Sequence, residues 1–263
     1  MKEVKILLVC IAIILAGCIG GKTSISIAGS TTVLPIAQKC AERYMQLHPD
    51  AEIIVSGGGS SMGIKNVGDG IVDIGMASRD LKESEKTAYP GLVKHTIALD
   101  GIAIIVHPSN PLIELTSEQL KGIYNGTYNR WENFGWSGEI VAIGRDTASG
   151  TGEFFWEHIM KKENFTSSML ALPSNGAVHD KVASTPNAIG FVGIGYISEK
   201  IKALKLDGIE PDIKNVKSKN YPLARELYLF TRGEASGLIK EFIDFILSEE
   251  GRKIVEEEGF IPL

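Results

Sequence analysis

Residues 56–65 read SGGGSSMGIK and place four glycines and three serines within ten positions. They follow the apolar run 51–55, AEIIV, and precede a segment with the pattern of a helix. A strand, a glycine-rich turn and a helix in succession form the repeating unit of α/β proteins. Hydroxyl groups in such a turn lie beside the unpaired N–H groups of a helix start, which attract anions. The stretch therefore indicates an α/β fold and a candidate anion site together.

The same alternation of strand and helix patterns continues along the chain. Several apolar runs lack a polar face, as in strands that helices cover on both sides. Helix signals are clearest over 36–47, 153–162 and 238–247, where Pro, Thr-Gly or Ser stands near the start. We therefore predict an α/β fold with a mostly parallel sheet. The runs with strand character are 26–28, 53–55, 71–76, 96–106, 139–143, 188–192 and 227–230.

The N-terminus has the pattern of an export signal. Lys2 and Lys5 precede the apolar run 6–16, which is too short to span a bilayer. Residues 15–18 then read Leu-Ala-Gly-Cys and resemble a lipobox, in which the cysteine becomes lipidated. We predict a signal peptide at 1–17, a lipid on Cys18 and a tether at 18–23. The mature protein is then anchored to the outer face of the cell membrane.

Charge and cysteine content exclude several classes of protein. The net charge is −5, and removal of the signal, with two lysines and one glutamate, makes it −6. A nucleic-acid partner is poorly supported by this balance. Cys40 is the only cysteine after Cys18, so no disulfide is expected within the chain. Because no H-E-x-x-H, C-x-x-C or clustered His/Cys pattern occurs, we expect neither a metal nor an organic cofactor.

Two further loops share the design of residues 56–65. Residues 29–32 read GSTT, and residues 145–151 read RDTASGT; each follows a predicted strand and leads into a predicted helix. The ordinary function of Ser or Thr at such a place is to cap the helix. However, strand-to-helix loops of an open α/β sheet lie at one edge and can face a common crevice. Three such loops and Arg145 therefore predict one oxyanion site.

The second loop also matches a nucleophile motif. Residues 59–63, GSSMG, fit the G-x-S-x-G elbow of serine hydrolases with Ser61 as the nucleophile. None of the five histidines has an obvious place as its base. A secreted serine hydrolase that uses Ser61 is therefore the alternative function from a different class. The histidines are His48, His95, His107, His158 and His179.

These motifs resemble the phosphate-binding lipoproteins of ABC transporters, the PstS family. The resemblance runs from Ile25 to the C-terminus and includes IAGSTTVLPIA, SGGGSSMGIK, VDIGMASRDL, GRDTASGTGEFF and YPLARELYLF. It implies a two-lobed α/β fold of the periplasmic-binding-protein type (type II) with the ligand cleft between the lobes. One lobe comprises 24–106 plus 226–263 and the other 107–225. It also implies a monomeric, non-enzymatic receptor that delivers inorganic phosphate to ABC transporter permease subunits.

The resemblance further implies the ligand residues. The first loop contributes hydroxyl and N–H groups, the second contributes hydroxyls, and the third contributes the arginine and a second set of donors. The implied phosphate-binding residues are Thr31, Thr32, Ser60, Arg145, Ser149, Gly150 and Thr151, and we add Ser30, Ser61 and Arg79 to the predicted set.

One position departs from the family pattern. Arg79 stands where well-studied members have an aspartate that accepts the proton of hydrogen phosphate, and an arginine cannot accept a hydrogen bond. Asp100, near the expected hinge, or Asp80 is expected to serve as the proton acceptor instead. Phosphate is therefore the expected ligand, and sulfate, molybdate and tungstate are the alternatives.

Overall fold

The structure, a computed structural model, describes residues 23–263 as an α/β protein of two lobes. The signal peptide at 1–17, Cys18 and the tether up to residue 22 lie outside the described residues. Within 23–263, no helix is both long and apolar enough to cross a membrane. The strands are β1 (Thr23–Gly29), β2 (Ala51–Gly57), β3 (Ile74–Ala77), β4 (Leu92–Val106), β5 (Glu114–Leu115), β6 (Val141–Arg145), β7 (Leu170–Leu172), β8 (Ala188–Gly193), β9 (Lys202–Leu206), β10 (Ala224–Arg232) and β11 (Ile261–Pro262). The helices are α1 (Leu34–Leu47), α2 (Ser60–Gly68), α3 (Glu83–Ala88), α4 (Ser117–Tyr124), α5 (Gly150–His158), α6 (Asn175–Ala183), α7 (Ile213–Lys217), α8 (Gly237–Leu247) and α9 (Glu249–Glu257).

The first lobe is built on the parallel strands β2, β1 and β3, in that order. Helix α1 packs on this sheet through residues spaced three and four apart, as an amphipathic helix requires. Strand β1 is polar at its exposed start and buried at its end, so it leads from the surface into the interior. This arrangement brings the ends of β1 and β2 and the start of α2 to one edge of the sheet.

Strands β4 and β10 connect the two lobes and run antiparallel to each other. The first part of β4 pairs with β10 and β11, and its last part pairs with β8 and β9. The expectation of a mostly parallel sheet is therefore wrong, because five of the ten strand pairs among residues 23–263 are antiparallel. The physical reason is that the chain leaves the first lobe on β4 and returns on β10. Outgoing and returning strands in one sheet must run in opposite directions.

Two main hydrophobic cores show where the chain crosses between the lobes. Ile97 and Ala98 pack in the core of the first lobe, whereas residues 102–106 pack in the core of the second. On the return, Leu223 belongs to the second core and Leu227 to the first. The outgoing crossing thus lies near Asp100, before the boundary expected after residue 106. Residues 102–106 are fully apolar and cannot be assigned to one core from their composition alone.

Candidate anion-binding site

The three loops predicted from the sequence each connect a strand to a helix, as expected: β1 to α1, β2 to α2, and β6 to α5. The loops of opposite lobes meet because glycines permit a close approach. A Cβ on Gly59, whose φ is +92°, would lie 2.5 Å from the Ala148 carbonyl oxygen. A Cβ on Gly150 would lie 2.2 Å from Ser60 Oγ. The glycines therefore allow contact between the lobes at this edge.

Three threonine hydroxyls meet where the loops converge. Thr32 Oγ1 of the first lobe lies 3.0 Å from Thr151 Oγ1 of the second. Thr31 Oγ1 accepts a hydrogen bond of 3.2 Å from Arg145 Nη2. All three threonines are buried, with exposures of 7% or less. We refer to Thr31, Thr32 and Thr151 as the threonine cluster.

Arg145 is buried beside this cluster with part of its guanidinium unpaired. Its Nε donates to the Leu172 carbonyl and its Nη2 to the Pro173 carbonyl, at 3.2 and 3.0 Å. Nη1 has no hydrogen-bond partner among the described residues, although it is buried. Burial lowers the pKa of Arg145 to about 10, which keeps the side chain charged at neutral pH. A buried cation with free N–H groups is a strong binding site for an anion.

Arg225 is a second buried guanidinium at the cluster, and sequence reasoning did not identify it. Its Nη2 donates to Thr151 Oγ1 at 3.0 Å and to Thr32 Oγ1 at 3.3 Å. Its Nη1 donates to the Ser78 carbonyl at 3.1 Å. The sequence did contain a signal for Arg225. It lies just before the apolar run 227–230, which predicts burial, and a buried charge requires a partner.

Asn175, also not identified from the sequence, belongs to a fourth loop of the same kind. The loop follows β7 and leads into α6, which Ser174 caps by accepting from the Ala177 N–H at 3.0 Å. Asn175 is fully buried, and its Nδ2 lies 3.1 Å from Thr31 Oγ1. The sequence Ser-Asn-Gly after a short apolar run repeats the design of the other loops. This loop was not predicted because β7 has only three residues and gives little strand pattern in the sequence.

Asp100 reaches the cluster only through Arg225. Its Oδ2 accepts from Arg225 Nε and Nη2 at 2.8 and 2.7 Å, and its Oδ1 accepts from the Ile194 N–H at 3.1 Å. Burial raises the pKa of the Asp100 carboxyl, while Arg225 opposes that rise. The geometry therefore favours a counter-ion for Arg225 over a free proton acceptor. Asp80, the other expected acceptor, has a side chain 57% exposed and pairs with Lys94.

Arg79 and Ser61 contact each other and acidic side chains. Arg79 donates from Nη1 and Nη2 to the two carboxylate oxygens of Glu85, both at 2.7 Å, and from Nη2 to Ser61 Oγ at 3.0 Å. Its Nε lies 2.7 Å from Glu153 Oε2 in the second lobe, although this N–H does not point at the oxygen. Arg79 is therefore held by acidic side chains of both lobes and fits poorly as an anion ligand. The hydroxyl hydrogen of Ser61 is not used by its bond with Arg79 and can still donate.

The remaining serines also satisfy local N–H groups. Ser149 Oγ accepts from the Gly152 N–H at 3.0 Å and so caps α5. Ser30 Oγ accepts from the Thr32 N–H at 3.2 Å, and Ser60 Oγ from the Ser78 N–H at 3.0 Å. In each case the hydroxyl hydrogen is not used by that bond and can still donate. Capping and anion binding are therefore compatible at these positions.

The helix dipoles and the excess of guanidinium groups over carboxylates around the threonine cluster favour an anion, since Asp100 balances only Arg225. Helices α2, α5 and α6 begin in the loops beside it, and the start of a helix carries partial positive charge. Arg145 and Arg225 add two guanidinium groups. Within residues 23–263, no group of three His, Cys, Asp or Glu side chains is arranged to hold a metal ion.

Comparisons with known proteins identify the family. The PBP superfamily domain matches residues 19–250. The phosphate-binding protein PstS of Bacillus subtilis is 34% identical over 243 residues, which cover 91% of this chain and 81% of the relative. A crystal structure of a phosphate ABC transporter substrate-binding protein with bound phosphate, from Clostridium perfringens, has a TM-score of 0.88 and 40% identity and covers 92% of this chain and all of that one. An ABC-type phosphate transport receptor from Vibrio cholerae has a TM-score of 0.76 and 34% identity, with 91% and 100% covered. The chain therefore belongs to the PstS family within the PBP superfamily.

Proposed function

We propose that this protein is an extracytoplasmic solute-binding protein that captures inorganic phosphate and delivers it to the permease subunits of an ABC transporter. The observation that carries the proposal is Arg145, whose buried Nη1 lacks a partner among residues 23–263 and lies beside three threonine hydroxyls. The names of the relatives and the phosphate in the Clostridium perfringens structure support phosphate as the ligand.

The ligand set follows from which donors remain available. Arg145 supplies charge, the threonine cluster supplies hydroxyls, and the Gly150 N–H lies at the start of α5. The hydroxyl groups of Ser30, Ser60 and Ser149 each keep a hydrogen that can still donate. Arg79 is left out of the set because Glu85 and Glu153 pair with its guanidinium. Ser61 accepts from Arg79 and keeps its hydroxyl hydrogen, so it stays in the set.

Binding is proposed to close the two lobes on the anion. Strands β4 and β10 are the connections on which one lobe can rotate relative to the other. The ligand groups come from both lobes, so only the closed form presents them all. Burial of the anion between the lobes then compensates the desolvated guanidinium of Arg145.

We propose that the protein is not an enzyme. Ser61 Oγ accepts from Arg79, so its partner is a permanent cation and cannot act as a base. Two Ser–His contacts occur among the described residues, His107 with Ser109 and His179 with Ser198. Both serines are exposed on the surface. These contacts lack the enclosed site that a hydrolase requires.

The proposal extends to the mature N-terminus. A lipid on Cys18 is proposed to hold a monomeric protein at the outer face of the membrane, with neither metal nor organic cofactor. Replacement Cys18→Ala should release the protein from the membrane fraction into the soluble fraction. Retention of Cys18→Ala in the membrane fraction would contradict the lipid anchor.

Thermal unfolding with a panel of phosphate, sulfate, molybdate and tungstate tests the function. A ligand at 100 times its Kd stabilises a protein by about 2.7 kcal/mol, which is readily measured. We expect phosphate to stabilise the protein most. Stronger stabilisation by sulfate, molybdate or tungstate would identify that oxyanion as the ligand instead of phosphate. No stabilisation by any of the four would refute the proposal that the protein is an oxyanion receptor.

A further inference from the structure

Asn175 joins the second lobe to both threonines of the first loop. Its Nδ2 lies 3.1 Å from Thr31 Oγ1 and 3.0 Å from Thr32 Oγ1. Its backbone N–H also points to Thr31 Oγ1, at 3.4 Å. These contacts cross between lobes, so they form only when the lobes are closed.

The orientation of the Asn175 amide is fixed by a contact on its other side. Oδ1 accepts a hydrogen bond from the Gly193 N–H at 3.2 Å. The oxygen must face this donor, and the NH₂ group must therefore face the threonines. A Cβ on Gly193 would lie 2.9 Å from Thr32 Cγ2 and 3.1 Å from Asp100 Oδ1, so only glycine allows this packing.

This orientation decides which way the threonine hydroxyls point. Every partner of Thr31 Oγ1 among the described residues is an N–H group, from Arg145 or from Asn175. Thr32 Oγ1 accepts from Asn175 and Arg225, so its own hydrogen is donated to Thr151 Oγ1 at 3.0 Å. Thr151 Oγ1 then accepts from Thr32 and Arg225, and its hydrogen is left to donate elsewhere. A hydroxyl whose lone pairs are taken by donors has its hydrogen left over. The cluster therefore offers hydrogens and no acceptor.

We propose that Asn175 is a positioning residue that directs the Thr31 hydroxyl and, through Thr32, the Thr151 hydroxyl as donors toward the bound oxyanion as the lobes close. The inference rests on the proposed function and adds a residue outside the expected ligand loops. Asn175 acts through the threonines and makes the donor arrangement depend on closure. The site is then matched to a tetrahedral oxyanion that presents unprotonated oxygens to the threonine cluster.

Two substitutions distinguish this positioning from simple packing. Asn175→Asp keeps the size of the side chain and an acceptor for Gly193, but it replaces the NH₂ donor with an oxygen. The threonine hydrogens then turn toward the carboxylate and away from the anion. Asn175→Ala removes the amide and leaves the threonine hydroxyls without a fixed orientation. Asn220→Asp, at an exposed asparagine of the same lobe, is the matched control.

Phosphate titration of the full-length protein in detergent, with rapid-mixing kinetics, provides the test. We expect Asn175→Ala to weaken phosphate binding about 10-fold and Asn175→Asp about 100-fold or more, mainly through faster dissociation, with Asn220→Asp unchanged. Thermal unfolding without phosphate checks that each variant is folded. A packing role predicts instead that Asn175→Ala lowers thermal stability without phosphate but leaves the dissociation rate of phosphate unchanged.

Three other results would overturn the inference about Asn175. Equal affinities of wild type and both Asn175 variants would overturn the inference while leaving the proposed function intact. Weaker binding by Asn175→Ala than by Asn175→Asp would also overturn it. Absence of phosphate binding by the wild type would refute the proposed function and, with it, the inference.

Discussion

Arg225 Nη2 lies 2.7 Å from Asp100 Oδ2, and the two side chains are 1% and 0% exposed. The residues face each other across β10 and β4, at the register position where the chain crosses between lobes. The pair therefore ties the two connecting strands together. It also holds a guanidinium beside Thr151 while the carboxylate balances its charge.

Replacement Asp100→Asn should destabilise the protein and leave its selectivity unchanged. Removal of one partner from a buried ion pair costs about 3 to 5 kcal/mol, because the other charge stays buried and uncompensated. We expect a loss of this size in urea unfolding of the ligand-free protein. Because Asp100 contacts the cluster only through Arg225, the ratio of phosphate to sulfate affinity should stay the same by calorimetric titration.

The double variant Asp100→Asn with Arg225→Met is the control for this prediction. It removes the stranded cation, so it should recover part of the lost stability. A phosphate-to-sulfate ratio that narrows in Asp100→Asn would instead support the expectation from the sequence that Asp100 accepts the phosphate proton.

Replacement Arg145→Met should abolish high-affinity phosphate binding. The methionine keeps much of the apolar stem but removes the charge and the unpaired Nη1. Loss of a buried charge partner typically costs about 2 to 5 kcal/mol of binding free energy. Isothermal titration measures the change, with Arg232→Met as a control at an exposed arginine of β10. A loss below about 0.5 kcal/mol would identify Arg145 as dispensable for the site.

The three loops were predictable because their signals are local. A strand pattern, a glycine and a hydroxyl before a helix lie within a few residues of each other, so 29–32, 56–65 and 145–151 were located correctly. Strands β5, β7 and β11 were missed because each has at most three residues, and β9 because its sequence, KALKL, contains no longer apolar run. Such short strands form through pairing with distant partners and carry little periodicity of their own.

The partners of charged side chains were not predictable in the same way. Arg79 lies in VDIGMASRDL, one of the motifs that resemble the PstS family, yet its guanidinium pairs with Glu85 and Glu153. Arg225 lies 125 positions from Asp100, and no local pattern connects them. Pairings of this kind depend on the final packing of two lobes, whereas the loops depend on the neighbouring residues alone.

Replacement Glu85→Gln should flatten the acid dependence of stability. Burial alone raises the pKa of Glu85, but hydrogen bonds from Arg79 and the Lys82 N–H outweigh burial and hold the pKa below its usual 4.5. A depressed carboxyl pKa contributes stability above pH 4.5 and loses it as the pH falls through the folded-state value. Between pH 6 and pH 3, the free energy of unfolding measured with urea should therefore fall less steeply for Glu85→Gln than for the wild type. Glu83→Gln, on the same helix with a side chain 89% exposed, should follow the wild type.

Replacement Glu153→Gln should speed the release of phosphate. Glu153 lies on the first turn of α5 in the second lobe and pairs with Arg79 and Lys82 of the first, at 2.7 and 2.8 Å. These ion pairs exist only in the closed form, so their loss favours opening. We expect a rise in Kd of roughly fivefold, equivalent to about 1 kcal/mol, carried by the dissociation rate. Glu157→Gln is the matched control, because Glu157 pairs within its own lobe with Lys162, at 3.9 Å. Stopped-flow measurement of the association and dissociation rate constants of phosphate tests this prediction. An unchanged dissociation rate in Glu153→Gln would mean that the ion pairs of Glu153 with Arg79 and Lys82 do not hold the lobes together. A faster association rate alone would mean that the Glu153 carboxylate acts only by repelling the approaching anion.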